Sequence, residues 1–115
     1  MNQNPSTMPM IEIMDTTLRD GEQTNGVSFT AHEKKNIARL LVKELNVDRL
    51  EIASARVSDG ELEAVRRIAQ WANEAGCLDR FEVLGFVDGG RSLAWIRDAG
   101  CRTMNLLCKG SLRHL

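Results

Sequence analysis

Ile11-Glu12-Ile13-Met14 runs into Asp15-Thr16-Thr17-Leu18-Arg19-Asp20-Gly21, and Thr30-Ala31-His32-Glu33 follows shortly after. The first four residues form a short β-like run, and the next seven are rich in turn formers. Thr30 with Glu33 three residues on is a capping box, in which each side chain satisfies the other's backbone N–H. Ile37, Leu40, Leu41 and Leu45 come next at helical spacing, which predicts a helix with one apolar stripe. Strand, polar loop and capped helix make one unit.

The same grammar recurs outward from it. Arg49-Leu50-Glu51-Ile52-Ala53 is predicted as a second strand, and Ser58 with Glu61 as a second capping box. Leu62, Val65, Ile68, Ala69 and Ala72 make the stripe of the second helix, which Gly76 ends as a C′ residue. Phe81-Glu82-Val83-Leu84-Gly85-Phe86 reads as a third strand and Asp88-Gly89-Gly90 as its turn. A short helix from Ser92 to Ala99 carries Leu93 and Ile96 and stops at Gly100, before a fourth strand, Thr103 to Leu107. Ala-Gly-Cys closes two of the helices, at 75–77 and 99–101. Units of about 20 to 35 residues in this order predict parallel strands with helical crossovers. An open doubly wound sheet and a closed eight-fold barrel both fit, and periodicity alone does not choose between them. Four units fall short of such a barrel, which takes about 200 to 250 residues.

Composition removes several function classes. The 115 residues include 15 basic and 16 acidic side chains, for a net charge of −1, so no field favours nucleic acid or anionic lipid. Only 4% of residues are aromatic and none is Tyr, which argues against a base-stacking platform. No run approaches the roughly 20 apolar residues of a membrane span. Residues 1–9 are polar with Pro5 and Pro9, lack the pattern of a signal peptide, and are expected to form a disordered arm before a domain over residues 10–115. Cys77, Cys101 and Cys108 are odd in number and lack C-x-x-C spacing. They read as reduced, buried thiols of a cytoplasmic protein.

In either architecture the reactive groups gather where strands end. The loop after strand one offers a carboxylate, a hard oxygen ligand for a divalent cation, beside a guanidinium able to hydrogen-bond an oxygen that gains negative charge. An arbitrary Arg-Asp-Gly is far more often a surface turn pair. The wider context alters that balance. Asp15-Thr16-Thr17-Leu18-Arg19-Asp20-Gly21-Glu22-Gln23 closely resembles the strand-one signature of the DRE-TIM metallolyase superfamily. That superfamily holds isopropylmalate, citramalate and homocitrate synthases, hydroxymethylglutaryl-CoA lyase and the carboxyltransferase domains of pyruvate carboxylases. The resemblance extends over about residues 10 to 115, through Glu51 in Leu50-Glu51-Ile52-Ala53-Ser54.

The resemblance implies an α/β fold: the N-terminal four βα units of a TIM (β/α)8 barrel, incomplete. It implies Asp20 as a ligand of a divalent metal ion (Mg2+, Mn2+ or Zn2+) and Arg19 as the group that binds the substrate's keto oxygen. Gln23 falls where the family has a polar residue lining the site. Glu51, taken to end strand two, either faces the active centre in a direct catalytic role or is a buried acid tied to Arg19 or another base. Asn105 stands where many synthases place a histidine near the keto acid. Leu84 lines the keto acid's apolar pocket or packs in the core. His114, in Ser111-Leu112-Arg113-His114, matches the segment after strand four, whereas His32 is read as solvated. The family's remaining metal ligands, a His-x-His on strand seven, have no counterpart in these residues, so the chain alone is expected to be inactive. The implied reaction is condensation of acetyl-CoA with a 2-oxo acid, of the isopropylmalate synthase type that serves leucine biosynthesis, by a homodimer when full length. Citramalate synthesis from pyruvate is the near alternative, and lyase or carboxyltransferase chemistry a second class. A non-enzymatic half-barrel interaction fragment is the third.

Overall fold

The apolar runs become four strands, β1 (Met14–Asp15), β2 (Arg49–Ser54), β3 (Phe81–Phe86) and β4 (Thr103–Leu107), interleaved with helices α1 (Ala31–Lys43), α2 (Asp59–Ala75) and α3 (Arg91–Ala99). The computed structural model describes residues 10–23 and 29–107, so the expected arm at 1–9, Cys108 and His114 lie outside the described residues. The strands pair in sequence order, β1-β2-β3-β4, every neighbour parallel. This is the α/β alternation of a βα-repeat fold.

Strands β3 and β4 keep the predicted bounds, but two strands differ. β1 is only two residues long, because the Asp48 carboxylate accepts from the Ile13 N–H at 2.7 Å and the Ile13 carbonyl accepts from the Asp48 and Arg49 amides. Ile11 and Ile13 stay exposed. β2 runs on to Ser54, which puts Glu51 third in a six-residue strand rather than at its end. A register shift against β3 falls between Glu51 and Ala53, as a bulge would produce.

Helix ends follow the sequence signals with one informative exception. The Thr30 and Glu33 box is complete. At α2 only half forms: the Ser58 hydroxyl accepts from the Glu61 N–H at 3.1 Å, while the Glu61 carboxylate turns to Lys34. Gly76 and Gly100 adopt positive φ, 78° and 93°. Cys77 N–H reaches the Ala72 carbonyl, and Cys101 N–H the Ile96 carbonyl. The repeated Ala-Gly-Cys is therefore one Schellman stop used twice.

Alternate strand residues sort to two faces. Leu50, Ile52, Phe81 and Val83 join Leu41, Val65, Ile68, Ala72 and Ile96 in the core between sheet and helices, where the Trp71 and Phe81 rings meet edge to face at 6.1 Å. The α1 stripe departs from expectation. Its buried face is Lys34, Ala38, Leu41 and Val42, whereas Leu40 and Leu45 are 58% and 70% exposed. Small Ala38 sits flush, and the lysine takes a position the leucine count assigned elsewhere. Leu93 of α3 is likewise exposed; Ser92, Ile96 and Ala99 face inward. Cys101 is buried, as read, and burial pushes its thiol up to about 12.

On β3, Gly85 shows how close α3 and β4 come. A Cβ there would lie 2.5 Å from the Met104 sulfur and 3.2 Å from Ser92 Cβ. The thioether can swing aside, but Ser92 is fully buried and hydrogen-bonded to Phe86 and Asp88. Gly85→Ala should therefore cost about 1–3 kcal/mol by overpacking, and Met104→Ala in that background should recover part of it. Thermal unfolding followed by circular dichroism measures both; an unchanged Tm in Gly85→Ala contradicts the packing described.

Candidate active site

The site is built by the loop that leaves β1. Asp15 accepts from the Thr17 N–H at 2.9 Å and from its hydroxyl at 3.1 Å, a local turn of the kind aspartate forms. The Thr16 carbonyl then gathers the N–H groups of Arg19, Asp20 and Gly21, winding the chain tightly. Leu18 is 1% exposed and anchors the loop in the core. Its neighbour Arg19 is thereby turned toward the opposite face of the sheet.

There Arg19 Nε donates to Glu51 Oε1 at 2.6 Å, and Asn105 Nδ2 donates to Glu51 Oε2 at 2.6 Å. Glu51 is 2% exposed, and both its oxygens are engaged, as a buried carboxylate requires. Arg19 remains 23% exposed and Asp20 64%, their closest approach a long 3.5 Å between Nη1 and Oδ1. Nε of the guanidinium is thus fixed and Nη1 reaches weakly to Asp20, while the side chain keeps 23% of its surface exposed beside an open carboxylate. Such a pair can hold an anionic or polarised oxygen next to a hard-ligand oxygen.

The structure gathers Arg19, Asp20, Glu51 and Asn105. Leu84 pairs in register with Asn105 and Ser54, is half-buried, and lies outside the core cluster. Gln23 ends a 3-10 turn, Gly21–Gln23, and its side chain, like His114, is not among the described residues. His32 is exposed at the start of α1 beside Asn36, apart from the cluster. As for metal, no group of three or more His, Cys, Asp or Glu able to hold an ion occurs among the described residues. Glu51 is spent on Arg19 and Asn105, which leaves Asp20 as the donor whose exposure and chemistry fit. No helix among them is long and apolar enough to cross a membrane.

Two polar clusters escaped the sequence reading. Lys34 joins Glu22 and Glu61 in one; its signal was a lysine in register with Ala38 and Leu41. In the other, Arg56 donates to Asp88 at 2.9 Å from a positive-φ backbone, 66°. Asp88 also accepts from the Ser92 N–H and hydroxyl, serving α3, whose N-cap Gly90 offers no side chain. The Asp88 to Ser92 spacing was the available clue.

Hydrogen bonds from the Ser92 N–H and hydroxyl, then Arg56, hold Asp88 well below its ordinary 3.8, at about 2. A depressed acid stabilises the fold above its unfolded pKa and loses that contribution as pH falls through the folded value. Asp88→Asn should lower stability near neutrality and flatten the loss between roughly pH 4 and 2. Urea unfolding across that range checks this; an identical acid limb in the variant contradicts it.

Comparison with known proteins gives the chain a family. The HMGL-like family matches residues 10–86. Over 60 residues the chain is 57% identical to a putative (R)-citramalate synthase of Methanopyrus kandleri, covering 52% of this chain and 12% of that protein. It is 58% identical over 60 residues to a 2-isopropylmalate synthase of Pyrococcus furiosus, with the same shares. It is 45% identical over 71 residues to a 2-isopropylmalate synthase of Bacillus cytotoxicus, covering 62% of this chain and 14% of that protein. The chain therefore spans only 12% to 15% of the length of the curated relatives it matches. With the family matching well over half of its residues, among them the whole of the Arg19-Asp20 loop and Glu51, the chain belongs to the HMGL-like family.

Proposed function

We propose that these residues are part of an acyltransferase that condenses acetyl-CoA with a 2-oxo acid, of the 2-isopropylmalate synthase kind. The observation that carries the reading is Arg19, clamped through Nε to buried Glu51 at 2.6 Å while its side chain stays partly exposed beside Asp20. The relatives named 2-isopropylmalate synthase support the substrate class. Relatives named citramalate synthase keep pyruvate as the second reading.

In this proposal Arg19 binds the 2-oxo acid through its remaining N–H groups and holds the keto oxygen. That oxygen gains negative charge as its C=O π bond opens to the enolate that a base makes by taking a methyl proton from acetyl-CoA. It is then protonated, and water cleaves the thioester to release the thiol. Glu51 fixes the plane of that guanidinium, its own two oxygens being engaged by Arg19 and Asn105. Asp20 would hold a divalent cation, which when bound polarises the carbonyl as a Lewis acid. Asn105 and Leu84, adjacent on the sheet face, would border the acid's polar and apolar ends, with Gln23 and His114 as further contacts. A cytoplasmic homodimer is the expected setting.

Two substitutions in the intact protein test this. Asp20→Ala should weaken the divalent ion and lower kcat/KM, with partial rescue by excess Mn2+. Arg19→Lys should leave metal affinity nearly intact yet reduce turnover about 10²-fold or more, because an ammonium lacks the guanidinium's fixed donors. Thiol release from acetyl-CoA, followed with 3-methyl-2-oxobutanoate and with pyruvate, reads both effects and separates the two substrates. Near wild-type kcat in Arg19→Lys at saturating metal overturns the role of Arg19; no thiol release with either acid overturns the reaction class.

A further inference from the structure

Lys34 is the most deeply buried charge among the described residues, at 1% exposed. Its ammonium lies 2.7 Å from Glu22 Oε1 and 2.5 Å from Glu61 Oε1. Glu22 uses its other oxygen to accept from the Phe29 N–H at 3.0 Å. These groups belong to three different segments: Glu22 to the turn two residues beyond Asp20, Lys34 to α1, and Glu61 to the first turn of α2. Glu61 forgoes its capping-box bond to reach the lysine.

We propose that Lys34 is a positioning residue, which straps the loop carrying Arg19 and Asp20 onto the α1 and α2 pair through Glu22 and Glu61. Helix packing alone does not require it. Ala38, Leu41 and Val42 of α1 and Ala64, Val65 and Ile68 of α2 are already buried, and a leucine would fill the same volume without desolvating an ion. What the lysine adds is reach to the loop. Once buried, the ammonium cannot forgo its carboxylates, because an uncompensated buried charge is strongly destabilising. The loop's Glu22 is therefore held, and with it the turn that sets Arg19 against Glu51. Burial raises the Glu61 carboxyl above its ordinary value, with Lys34 pulling the other way and Glu22 adding to the rise, which accords with a site short of one positive charge. The catalytic meaning of the strap rests on the reading that Arg19 acts on substrate.

The discriminating variant is Glu22→Ala, which frees the loop but leaves the Lys34–Glu61 pair between the helices. In the intact protein, the Arg19 Nε–H nuclear magnetic resonance signal, assigned by its loss in Arg19→Lys, reports the contact with Glu51 independently of activity. Glu22→Ala should shift or broaden that signal and cut kcat by roughly 10-fold to 100-fold, as small misplacements do. Glu22→Gln, which keeps one acceptor oxygen but puts an amide donor in place of the other, should restore only part of the signal. An unchanged Arg19 signal in Glu22→Ala overturns the strap. A perturbed signal with undiminished kcat upholds the strap and instead overturns the reading that Arg19 serves catalysis.

Discussion

A carboxylate taken almost wholly out of water must have both oxygens answered, and Glu51 is that carboxylate here. Its two partners come from distant places: Arg19, 32 residues earlier, and Asn105, 54 residues later. One side chain on β2 thereby fixes the loop after β1 and the inner face of β4. Magnitudes rank the interactions. Removing one partner of a buried pair costs about 3–5 kcal/mol, whereas an exposed helical pair such as Arg67 with Glu63 contributes about 0.3–0.5 kcal/mol. Surface ion pairs decorate this sheet; the Glu51 contacts organise it.

The same constraint links stability to chemistry. A guanidinium free in a surface loop would sample many rotamers and meet a substrate oxygen only occasionally. Held at Nε by an immobile carboxylate, it keeps its remaining N–H groups aimed in one direction before any ligand arrives. Such preorganisation is what makes fixed donors effective at charge that develops during reaction. Asp20, close by but mostly exposed, is left free to ligate. The proposed division of labour follows from burial: the acid that is inside holds the guanidinium, and the exposed Asp20 is the candidate ligand.

Much of this was legible in the sequence because it depended on neighbours along the chain. The Ala-Gly-Cys stops, the Thr30 cap and the limits of β3 and β4 are local, set by φ preferences and period. The Arg19-Asp20 motif was legible through its nine-residue context. What stayed hidden depended on contacts across the fold. Leucine spacing in α1 suggested a stripe through Leu40 and Leu45, yet the helix turns a lysine and an alanine inward, because Glu22 and Glu61 await the lysine. Glu61 fitted a capping box by spacing and abandoned it for the same ion. β1 proved shorter than its isoleucines implied because the Asp48 side chain takes the Ile13 N–H. Each of these three misses was a long-range polar contact outcompeting a local pattern.

The most direct test of the central claim is a crystal structure of the intact protein with Mn2+ and a 2-oxo acid, using anomalous scattering to locate the ion. Manganese should sit on the Asp20 carboxylate, with Arg19 Nε still bonded to Glu51 and an Arg19 Nη within about 3 Å of the keto oxygen. A substrate bound away from Arg19, or an Arg19 that leaves Glu51 to reach it, would contradict the account.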